Sequence, residues 1–152
     1  MAATWPNREH IRGDTVIDYL KFVDSDGDAL DLASCTILLT VKSAAPSASD
    51  EDLDDATAII RHGIEIGADG SVAETNGFAI GGIDPETSEQ VSGATSGVVT
   101  HTVTATESTT VTPGSYVYDI SITNADGSVK TIINGAKWTV IPDVGRRTEV
   151  AS

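Results

Sequence analysis

Asp24-Ser25-Asp26-Gly27-Asp28, with Asp31 just beyond, is the stretch whose residue types and spacing come nearest to a chemical site. Alternate carboxylates in a tight loop can converge on a hard cation such as Ca2+. The spacing departs from the calcium-binding helical loop, which needs glycine at its sixth position and glutamate at its twelfth, whereas Gly27 stands fourth. The expectation is a solvated hairpin turn, with Asp24, Asp26 and Asp28 as the residues that would hold Ca2+ if an ion binds. No other cofactor is indicated.

The remaining reactive residue types form no pattern. His62 and His101 are far apart in sequence and flank no carboxylate or cysteine at ligand spacing, so they read as surface or hydrogen-bonded histidines rather than a metal pair. Cys35 lies in the alternating run Cys35, Ile37, Leu39, Val41, which reads as a small buried hydrophobe with no basic neighbour to activate it. Arg12-Gly13-Asp14 spells an adhesion tripeptide but is expected to open a strand. There is no G-x-S-x-G, and the glycines, Gly81-Gly82 included, lack the strand-to-helix setting and lysine of a phosphate loop. The chain therefore reads as a non-enzyme.

Composition narrows the partners. Twenty-three acidic against nine basic residues leave a formal charge of −14. That field repels phosphate backbones and anionic bilayers, so neither nucleic acid nor membrane is an expected partner. No run approaches the roughly 18 to 20 apolar residues of a membrane span, and the start MAATWPNREH lacks the regions of a signal peptide. Abundant Asp with scarce Lys looks like the composition of proteins from salt-loving organisms, where screening confines the self-repulsion to about 3 Å. An ordinary acidic protein is the alternative.

The elements that must position these residues are strands. Thr15 to Val23 and Cys35 to Lys42 alternate with period two, as do Gly97 to Thr106 and Tyr116 to Thr123. Val129 to Ile133 returns after the Asp126-Gly127 turn, Asn134-Gly135 turns again, and Ala136 to Ile141 closes the pattern. Ser43 to Asp55 and Asp84 to Ser96 are polar loops, with a short helix allowed near Ser49 where Asp50, Glu51 and Asp52 suit a helix N-terminus. Seven or more short strands predict an all-β chain, an immunoglobulin-like antiparallel β-sandwich with long polar loops and extended termini. Its expected divisions are an N-terminal arm at 1–11, the sandwich at 12–142 and a tail at 143–152. Trp5 in the arm and Arg146 and Arg147 in the tail are the expected partner-binding residues.

Two blocks carry a resemblance. RGDTVIDYLKFVDSDGDALDLASCTILLTVK (12–42) and TPGSYVYDISITNADGSVKTIINGAKWTVIP (112–142) share a G-D-T start, D-x-D-G, a D-L pair, a P-G turn, a Y-x-Y-D strand, a second D-G and a final N-G. Together they resemble the N-terminal domain of phage baseplate upper proteins and small immunoglobulin-like virion proteins. The matching positions include Gly13, Asp14, Asp24, Asp26, Gly27, Leu32, Pro113, Tyr116, Tyr118, Asp119, Gly127 and Gly135. The blocks cover less than half of the chain; the middle is longer than in the compact form, and a fibre-forming extension is not expected. The resemblance implies a structural protein of a tailed virus particle, located in the virion as a decoration, head-to-tail or tail component. Its partners would be other virion proteins and copies of itself. A carbohydrate- or cell-surface-binding module of the same architecture is the alternative, and it would require aromatics gathered on one exposed face.

Overall fold

Period-two runs bounded by glycine and Asp-Gly turns leave the backbone little choice but strands, and the computed structural model, which describes residues 7–43 and 59–142, is mostly β. Its strands are β1 (Arg8–Ile11), β2 (Val16–Lys21), β3 (Thr36–Ser43), β4 (Ile60–Ile66), β5 (Val72–Asn76), β6 (Phe78–Ile80), β7 (Gly82–Ile83), β8 (Gln90–Val91), β9 (Val98–Val103), β10 (Gly114–Thr123) and β11 (Val129–Ile141). One short helix, α1 (Ala105–Thr109), links β9 to β10.

The strands form a six-stranded sheet in the order β1-β11-β10-β3-β4-β5, a three-stranded sheet β2-β9-β6 and the small pair β7-β8. A single hydrophobic cluster draws on both larger sheets. Ile37, Leu39, Ile120 and Ile122 come from one, Leu20, Phe78, Val99 and Val103 from the other. The alternation read in Cys35, Ile37, Leu39 and Val41 is the buried side of that cluster, as is that in Tyr118, Ile120 and Ile122.

Four expectations change. The hairpin turn expected at residues 24–28 does not pair β2 with β3, which belong to different sheets. Around the Asp-Gly turn only Val23 and Ala29 bridge. The chain then crosses over by burying Leu32, whose N–H donates to Ala94 O, and by taking Ser34 through a positive φ of 64°. Second, residues 8–11 of the N-terminal arm form β1, which pairs with β11 in parallel, so the larger sheet is not purely antiparallel. Third, Asn134-Gly135 makes no hairpin. β11 runs through it, and the β10 register slips beside it, Tyr118 facing Ala136 but Ile120 facing Ile133. Gly135 (φ 69°) supplies the left-handed residue of this bulge, and Asp119 Oδ1 accepts its N–H at 2.6 Å. Fourth, the alternation from Gly97 stops at Val103, where α1 takes over.

The acidic segment 44–58, with the helix considered near Ser49, lies outside the described residues, as do Trp5, Arg146 and Arg147. Among the described residues no helix is long and apolar enough to cross a membrane.

Candidate functional site

The carboxylates of the acidic turn lie near one another. One carboxylate oxygen from each of Asp24, Asp26 and Asp28 lies within 4.8 Å of the others, all on exposed residues. The loop is already closed without an ion. Asp24 Oδ1 accepts the N–H groups of Asp26 (2.9 Å) and Asp28 (3.0 Å), and Asp24 N–H donates to Asp28 O at 2.8 Å. A calcium ion there would take one oxygen from each carboxylate and draw the rest of its six to eight ligands, on the usual count, largely from water.

The denser chemistry is internal and sequence spacing did not reveal it. All of the chain's histidines are buried, and two hydrogen-bonded chains of side chains meet at α1. In the first, His101 from β9 reaches across to His62 from β4, Nε2 to Nδ1 at 2.8 Å, and His62 Nε2–H donates to Glu107 Oε2 at 2.7 Å. This chain ties the two larger sheets together and meets solvent only at the partly exposed Glu107. In the second, Trp138 Nε1–H on β11 donates to His10 Nδ1 on β1 at 3.0 Å, and His10 Nε2 lies 3.0 Å from Ser108 Oγ. Ser108 Oγ also accepts Gly13 N–H at 2.9 Å.

The helix that presents Glu107 and Ser108 is locally specified. Thr104 caps it, its hydroxyl accepting Glu107 N–H at 3.1 Å. Arg12 holds the other end, donating to Thr109 O and, through Nε, to Val111 O at 3.2 Å. That use retires the adhesion tripeptide: Arg12-Gly13-Asp14 sits in the turn after β1 rather than opening a strand, Gly13 is buried, and the guanidinium is turned onto α1. Thr104-x-x-Glu107 is the capping-box pattern, the one sequence signal that marks this helix. Nothing in the sequence spacing marks His10 or Ser108.

Burial, then the charges of His62 and Arg8, push His101 down to about 3, so it is neutral. His10 is also lowered, by burial first and Arg8 second, against the opposing pull of Asp14 and Asp18. The ring nitrogens of His62 and His101 share a proton at 2.8 Å; two nitrogens each about 2.0–2.1 Å from a tetrahedral zinc would stand further apart.

Ser108 beside His10 has the outline of a nucleophile and its base, but the tautomer is wrong. An indole N–H only donates, so His10 Nδ1 is the lone pair and its proton sits on Nε2, directed at Ser108 Oγ. That imidazole cannot accept the serine proton, and Ser108 is wholly buried. Cys35 is buried as expected, and burial pushes its thiol up, away from the reactive thiolate.

Three ion pairs add to these polar contacts. Arg8 on β1 pairs with Asp18 on β2, again joining the sheets, and Lys21 reaches Asp84 at 2.9 Å and Glu86 at 2.7 Å. Hydrogen bonding to Lys21 holds the Asp84 carboxyl below its ordinary range. No protein-family model matches the chain, and no curated protein matches it at a significant level.

Proposed function

We propose that this chain is a non-enzymatic structural component of a tailed virus particle, a capsid decoration, head-to-tail or tail protein that docks on other virion proteins and on copies of itself. Its fold is read as an immunoglobulin-like sandwich, the six-stranded and three-stranded sheets facing each other over one core. The observation that carries the proposal is how the polar chemistry is spent. The histidines, Ser108 and Glu107 bond to one another across the strands and α1, and so serve to fix the body's shape. The two blocks resembling phage virion modules supply the particular assignment, with β10 and β11 as the paired hairpin of the second block.

The alternative, a carbohydrate- or surface-binding module, is disfavoured by the aromatics. Among the described residues Phe22, Phe78, Tyr118 and Trp138 are buried, and only Tyr19 and Tyr116, both half-buried, remain to offer a ring to a sugar.

Light scattering behind size exclusion, on the full chain in dilute buffer and again in molar salt, tests the proposal. A ring or another defined oligomer, in either condition, is the expected result. A monomer in both, together with retention on a glycan array, would replace it with the binding-module reading.

A further inference from the structure

β1 is a four-residue edge strand. Its side-chain anchors are Arg8, paired with Asp18, and His10, held between Trp138 and Ser108. The hydrogen bond from Trp138 requires a lone pair on His10 Nδ1, since the indole nitrogen carries its hydrogen permanently and points it at that atom. The rings meet edge to face at 87°, and Trp138 is itself wedged against Tyr118, with ring planes at 82°. Trp138 is fully buried, which leaves the indole no free volume into which to turn its N–H away.

We propose that His10 is an acid-released pin for the N-terminal strand: a proton added to Nδ1 sets two N–H donors against each other at Trp138 and loosens β1 from β11. The proton comes from solvent, and the Nδ1–H bond is the only covalent bond formed. The groups facing the ring are Trp138 from β11, Ser108 from α1, Arg8 from its own strand, Asp14 from the following turn and Asp18 from β2. Asp14 and Asp18 favour the cation, while Arg8 and burial oppose it, so the pin holds at neutral pH. Release bares the edge of β11 from Trp138 to Ile141, now covered by β1, as unpaired backbone donors and acceptors. The N-terminal strand thereby becomes a segment whose docking depends on pH.

At 15.7 kDa the full chain suits heteronuclear NMR. The expected result is that, between about pH 7.5 and pH 5, the range in which histidine titrates, the Trp138 indole N–H and the Arg12 amide lose protection from hydrogen exchange beyond any loss in β3 and β10. The Arg12 amide reports because it donates to Ile141 O. The excess should be about tenfold or more, and it should vanish in His10→Gln, whose amide can accept from Trp138 and donate to Ser108 without titrating. Equal loss in all strands, no loss, or the same excess in His10→Gln would overturn the proposal. If that variant fails to fold, the wild-type imidazole nitrogen shifts decide: a proton on Nδ1 at neutral pH overturns it, and a lone pair there that protonates as β1 loosens supports it.

Discussion

Trp138 sets the tautomer of His10, and burial sets the charge of His101. Both histidines bind a proton more weakly folded than unfolded, so their stabilising effect is complete above about pH 6.5 and is lost as pH falls below it, for His101 down to about 3. His101 alone should lower stability by on the order of 1 kcal/mol per pH unit in the middle of that window. Asp84, also depressed, acts near and below its ordinary 3.8, so above about pH 5 the histidine effect stands apart from it. Urea midpoints measured from about pH 7.5 to 5 should therefore stay level down to about pH 6.5 and fall below it; a series flat throughout would contradict a buried neutral His101. At the other end of the chain's chemistry, the exposed Asp24, Asp26 and Asp28 offer few ligands in a loop closed by its own hydrogen bonds. Calcium at about 1 mM, the weak end of protein sites, should raise Tm no more than sodium chloride of equal ionic strength. A larger calcium shift, abolished in Asp26→Asn, would make the turn a true ion site.

At the scale of elements, two glycines with similar backbone angles should behave very differently. Gly77 (φ 82°) joins β5 to β6, and a Cβ there would overlap the His62 ring, displacing the residue that links His101 to Glu107. Gly135 (φ 69°) lies at the bulge in β11, where a Cβ meets nothing within 4 Å. Gly135→Ala carries only the left-handed strain, about 1–2 kcal/mol. Gly77→Ala adds overpacking of a buried network and should cost about 2–4 kcal/mol in all. Thermal unfolding of the two variants side by side checks this ordering, and equal losses would show that His62 yields freely.

For the whole molecule, the charge of −14 dominates. Salt screens both the repulsion among the acidic groups and the attraction in pairs such as Lys21 with Asp84, but acidic residues outnumber basic ones 23 to 9, so the repulsive part is larger. Raising sodium chloride from about 0.1 M, where the screening length is near 10 Å, to about 1 M, where it is near 3 Å, should raise Tm. A scanning fluorimetry series would check it, and a fall in Tm would mean that the ion pairs across the sheets outweigh the surface field.

The sequence by itself determined what depends on near neighbours. Alternation in residues 35–41 and 118–122 put the right side chains inside, because a strand's faces follow from parity alone. The Asp24 turn closed as its spacing predicted, since its bonds span only four residues. Tertiary structure decided whatever joins distant segments. Which sheet β2 or β3 enters, the parallel docking of β1 and the passage of β11 through Asn134-Gly135 depend on pairing energies between strands far apart in the chain. The buried network is the clearest case: His10 meets Trp138 across 128 positions and His62 meets His101 across 39. No local pattern encodes such a meeting. A buried polar atom has to find its partner wherever the fold brings one, because leaving it unpaired costs more than the bond itself returns.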